Sequence, residues 1–81
     1  MDVLETITEA ARNLHTVELD YQKVATGEIK HYVLEPYSTR EGSYFFGYDI
    51  IEGKIKKFVI VNIISAQETE DSFSPRWAVE F

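Results

Sequence analysis

In residues 14–21, Leu14-His15-Thr16-Val17-Glu18-Leu19-Asp20-Tyr21, the spacing of the apolar side chains changes, and that change decides the fold. Before it, in residues 2–14, Val3, Leu4, Ile7, Ala10, Ala11 and Leu14 recur three and four apart, the stripe of an amphipathic helix. Asp2 stands as N-cap and Glu5, three residues on, completes a capping-box pattern. Asp2, Glu5 and Glu9 lie toward the positive end of the helix dipole and Arg12 toward the negative end, so these acids read as helix stabilisers. Asn13 and His15 are the expected exit residues. From Thr16 onward, Val17, Leu19 and Tyr21 alternate with Thr16, Glu18 and Asp20, which describes a strand with one wet face.

The period of two continues to the end of the chain. Thr26-Gly27 makes a hairpin connection into an extended segment, 29–40, in which Pro36 requires an edge, a bulge or a bend. Glu41-Gly42 turns into the aromatic strand 43–51, and Glu52-Gly53 turns into 54–64. There the run FVIVNII is apolar on both faces, and part of this strand is expected to be covered on both sides. Residues 67–74 read as a polar stretch, and Trp77, Val79 and Phe81 as a short final strand. One helix followed by about five short strands predicts a mainly β, α+β domain: a helix on a small, strongly bent antiparallel sheet or partly open barrel. At 81 residues this is a single domain, 1–81.

Composition narrows the function. With 44% hydrophobic residues the chain is too apolar for disorder, and it has no stretch long enough to span a bilayer and no signal-peptide pattern. Cysteine is absent, which excludes disulfides, thiolate nucleophiles and cysteine-bound zinc, and a cytoplasmic protein is expected. Eight Lys+Arg against fourteen Asp+Glu give a charge of -6, which repels nucleic acid unless the basic residues gather on one face.

No motif points to catalysis. His15 and His31 have no metal-ligand spacing, no serine sits in a GxSxG context, and the four glycines are isolated, so no phosphate-cradling loop is expected. Neither a catalytic residue, a metal nor a cofactor is predicted. Gln67–Asp71 carries three acids without the glycine turn of a calcium loop and reads as solvated. Gly47, inside the strand SYFFGYDI, marks either a sharp bend or the close approach of a ligand or chain. Tyr44, Phe46 and Tyr48 share one face of that strand, and exposed aromatics offer stacking platforms for single-stranded nucleic acid. Lys54, Lys56 and Lys57, the one basic cluster, suit either a solvated hairpin edge or an anion-binding patch.

In order along the chain, several segments resemble the WYL domain, a module of bacterial transcription regulators. Its V-x-P-y strand is similar to Val33-Leu34-Glu35-Pro36-Tyr37, and its Trp-Tyr-Leu motif to Tyr44-Phe45-Phe46-Gly47-Tyr48. Its R-x-F-x-x-x-R-I strand is similar to Lys56 through Ile63, and its ending to Phe73, Pro75, Arg76, Trp77 and Phe81. The resemblance implies an Sm-like, SH3-type barrel that senses nucleic-acid or nucleotide-derived ligands. At three positions where the family carries arginine this chain has Tyr32, Lys56 and Asn62, and only Lys56 keeps the charge. No helix-turn-helix accompanies the sheet.

Two functions are expected. In the first, a non-enzymatic regulatory domain binds a nucleotide, a short single strand or another small anion through Tyr32, Tyr44, Phe46, Lys56 and Asn62, with His31 beside them. In the second, the anion site is lost and the domain serves protein interaction or self-assembly through an open edge. Small size favours a homodimer in either case.

Overall fold

The computed structural model describes residues 2–81. Helix α1 spans Val3–Asn13. Asp2 Oδ1 accepts the Glu5 N–H at 2.8 Å, which satisfies one of the orphan donors of the first turn. That bond holds the Asp2 carboxyl below its ordinary pKa. The helix ends at Leu14, in left-handed conformation at φ 56°, whose N–H returns to Ala11 O at 3.2 Å. Ile7, Ala10 and Ala11 are fully buried against the sheet, while Leu14 is turned out, so the apolar stripe stops a turn early.

The strands are β1 (His15–Gln22), β2 (Ile29–Arg40), β3 (Tyr44–Asp49), β4 (Lys54–Val59) and β5 (Ile63–Ser72). They pair antiparallel in the order β4-β3-β2-β1-β5, with the three hairpin turns where the glycine pairs predict them. β4 and β5 lie at opposite edges, yet only the 3-10 turn Ile60–Asn62 joins them. Across a flat sheet those edges would be ~19 Å apart. Four Cα steps reach at most ~14 Å, so the sheet must coil strongly. The Val59 N–H donates to Tyr21 Oη at 3.1 Å, and Asn62 Nδ2 to Gln22 O at 3.1 Å, tying the turn to β1. β4 and β5 do not pair with each other, so the sheet is coiled but not closed into a barrel.

The concave face holds the core: Val17, Leu19 and Tyr21 from β1, Tyr32 and Leu34 from β2, Phe45, Phe58 and Ile63. Phe45 stacks on Phe58 at 5.3 Å, and Tyr21 and Tyr32 each meet Phe58 edge-on at 5.0 Å. Pro36 sits at a bulge, where the register shifts between Pro36 and Ser38, so this central strand accommodates a residue without an N–H. Opposite it, Gly47 leaves no room for a side chain. A Cβ there would come within 3.1 Å of the Phe45 ring and 3.3 Å of Leu34.

Three expectations change. Residues 54–64 are not one strand: Phe58 and Ile63 are buried, but the 3-10 turn Ile60–Asn62 interrupts the apolar run, throwing Val61 out to 87% exposure, and Ile64 is 54% exposed. The polar stretch from Gln67 belongs to β5, paired with β1 at Glu18↔Gln67 and Val17↔Glu68. The last residues form no strand beyond one bridge, Ser38↔Glu80. Arg76 and Trp77 lie on the outer face instead, where Trp77 packs on Tyr37 and Tyr48 and the Arg76 guanidinium lies 4.2 Å from the Tyr48 ring centre, while Phe81 packs against the core.

Candidate functional site

The turn between β3 and β4 is built by one side chain. Asp49, only 3% exposed, accepts the N–H groups of Ile51 and Glu52 at 3.0 and 3.1 Å through Oδ1. Its other oxygen lies 3.1 Å from the Lys56 ammonium. Gly53, at φ 70°, completes the turn with an N–H to Asp49 O at 2.7 Å. This fixed turn borders a cleft of about 220 Å³ lined by Lys30, His31, Tyr32, Asp49, Ile51 and Glu52.

Lysines gather on one ring at this cleft. Lys30, two residues before Tyr32 on the same strand face, and Lys56, from β4, each place Nζ 5.1 Å from the Tyr32 ring centre. Glu52 answers them. Its Oε2 pairs with Lys56 and, at 3.5 Å, with Lys30, while Oε1 lies 3.6 Å from Lys54. The hydrogen bond from Lys56, with the charges of all three lysines, pulls the Glu52 pKa down to about 2. Partial burial works against the Lys56 charge, but its bonds to Glu52 and Asp49 hold its pKa above the ordinary value.

The six residues expected to bind ligand fall in four places. Tyr32 lines the cleft, and Lys56, outside the lining itself, places its ammonium over the Tyr32 ring. His31 points to the other face of β2, with Nδ1 2.8 Å from Asp20 Oδ1 and Nε2 3.9 Å from Glu18. Tyr44 and Phe46 lie on the outer face, edge to face at 5.8 Å, beside Lys57 and Arg40. Asn62 is engaged with Gln22 O and does not line the cleft. Sequence reasoning missed Lys30, Asp49 and Glu52. Period two already puts Lys30 on the Tyr32 face, and Glu52 stands four residues before Lys56, so the signal was local. A larger concavity, about 330 Å³, is lined by α1 residues alone (Leu4, Glu5, Thr8, Glu9 and Arg12) and brings no second element to a ligand.

A helix packed on one coiled, five-stranded antiparallel sheet defines a small, mainly β domain. The chain belongs to the WYL domain family, whose model matches residues 2–68. Among solved structures it is similar to proteasome accessory factor B/C (PafBC) of Arthrobacter aurescens, at 26% identity and a TM-score of 0.78. That match covers 89% of this chain but only 12% of the PafBC chain, so the domain corresponds to a small part of that protein. No curated protein matches. No helix among the described residues is long and apolar enough to cross a membrane.

Proposed function

We propose that this chain is a non-enzymatic regulatory domain that senses a small anionic ligand, a nucleotide or the end of a short single strand, at the Tyr32–Lys56 cleft. The convergence of Lys30, Lys54 and Lys56 on one exposed carboxylate above Tyr32 carries the reading. Where three ammonium groups hold an internal carboxylate, they can hold an external anion, and the Tyr32 ring adds a cation–π surface worth ~0.5–1 kcal/mol per lysine. The family membership and the PafBC likeness support a sensing role for the fold. Tyr44 and Phe46, on the opposite face, are left outside this cleft, as is Asn62, while His31 contributes to the lining with its Nδ1 engaged by Asp20.

The test is fluorescence anisotropy with labelled adenosine monophosphate and with short 5′-phosphorylated single strands, at low and physiological salt. Saturable binding that weakens with salt and is lost in Lys56→Glu is expected. Equal affinity in Lys56→Glu would move the ligand elsewhere.

A second reading, self-assembly, has its own observation. β4 and β5 each leave one edge unpaired, the first carrying Lys54, Lys56 and Lys57, the second Glu68, Glu70 and Asp71, with Val61 and Ile64 exposed nearby. Such edges invite pairing between copies. Light scattering across a wide concentration range should then show a mass that rises to a dimer or beyond, and a constant monomer mass would dismiss this reading.

A further inference from the structure

Two carboxylates face the lysines of the cleft, and they are built differently. Asp49 is buried and fixed by two backbone N–H groups of the turn. Glu52 is not. Its side chain is 37% exposed, its carboxylate bonds only to lysines, and its backbone N–H is already held by Asp49. The Glu52 arm can therefore swing out while the turn beneath it stays in place. Among the described residues it is the only acid whose carboxylate bridges three ammonium groups.

We infer that Glu52 is a tethered competitor which sets the specificity of the cleft, admitting phosphomonoester dianions and rejecting monoanions. The inference rests on the anion-binding reading of the Tyr32–Lys56 cleft. Charge and tether argue it independently. With Glu52 displaced, Lys56 keeps its pairing with Asp49 while Lys30 and Lys54 lose their carboxylate, which leaves two positive charges for the ligand. A phosphomonoester carries about two negative charges near neutral pH and three terminal oxygens, enough to accept from all three lysines at once. A carboxylate or phosphodiester offers a single charge. It would only repeat the contacts of Glu52, whose short tether gives it an effective concentration in the millimolar range or above. With its pKa held near 2, Glu52 does not leave the site by protonation at neutral pH.

Calorimetric titration of the full chain with adenosine monophosphate and with cyclic AMP, at neutral pH and low salt, tests this. The two probes share a base and sugar and differ in phosphate charge. The wild type should prefer the monophosphate by roughly tenfold or more, and Glu52→Gln should tighten cyclic AMP by about tenfold and narrow the preference. Glu52→Gln gives up the ion pairs with Lys30, Lys54 and Lys56, so its melting curve is recorded alongside, and the titrations are run where the variant is folded. If Glu52→Gln leaves both affinities unchanged while Lys56→Gln abolishes them, the cleft stands and the role of Glu52 is overturned. If neither probe binds to the wild type or to Glu52→Gln, the cleft reading and this inference fail together.

Discussion

Arg76 donates through Nε and Nη2 to the two carboxylate oxygens of Glu35, at 3.0 and 3.3 Å, across 41 residues of sequence. Glu35 is 4% exposed, on the outer face of β2, and the planar fork of arginine matches it in a way an ammonium could not. Tyr37 completes the arrangement: its hydroxyl donates to Glu35 at 2.6 Å and accepts the Arg76 N–H at 3.0 Å. The last nine residues are thus latched to the sheet by polar groups, with Trp77 packed beside them.

This latch should be sensitive to alkali. Burial, reinforced by the neighbouring Glu35 carboxylate, raises the Tyr37 pKa to about 12. A group whose folded pKa lies above its unfolded value contributes stability that is complete below the unfolded pKa, near 10, and is lost as pH rises from there toward about 12. Tyrosinate absorbance should show a late step near pH 12 from Tyr37, and Tyr37→Phe should remove that step. The same variant should cost ~1–2 kcal/mol in urea denaturation at neutral pH, since it leaves Glu35 without one donor. An unchanged late step in Tyr37→Phe would refute the assignment.

Gly47 is required by packing and not by backbone conformation, because its φ is not among the positive ones. Gly47→Ala removes backbone freedom from the unfolded chain, worth up to ~1 kcal/mol in its favour. Against that, the new Cβ presses on Phe45 and Leu34, both fully buried, and overpacking a dense core costs ~1–3 kcal/mol. A net loss of about 1 kcal/mol is expected from the urea midpoint; a gain would show that Leu34 yields.

The coiling of the sheet makes neighbours in sequence opposite in energetic weight. Phe58 is 2% exposed and touches three aromatic rings, so Phe58→Ala should cost ~3–5 kcal/mol, enough to unfold much of so small a domain. Val61, three residues on and 87% exposed, should tolerate Val61→Ser within ~0.5 kcal/mol. Comparable losses at the two positions would mean that Val61 is covered in solution, which would favour self-assembly.

What the sequence determined by itself is what rests on near neighbours. The Asp2 cap, the stripe of α1 as far as Ala11, the glycine turns and the aromatic faces of β3 are each written within a few residues, and they appear as expected. β5 could not be read that way. As an edge strand it buries only Ile63, so the segment from Gln67 has no alternating apolar signal, and it is a strand because β1 supplies its hydrogen bonds. The break at Ile60–Asn62 has the same cause, since an apolar run looks continuous until the coiled sheet forces it to turn. The site divided similarly. Alternation within a strand separates Phe45 from Tyr44 and Phe46, but it cannot say which face of β3 meets which face of β2. The ladder and its bulge at Pro36 decide that, placing Tyr32 with Lys56 and turning Tyr44 and Phe46 to the far side. Pairing register is a long-range property, and only the tertiary structure fixes it.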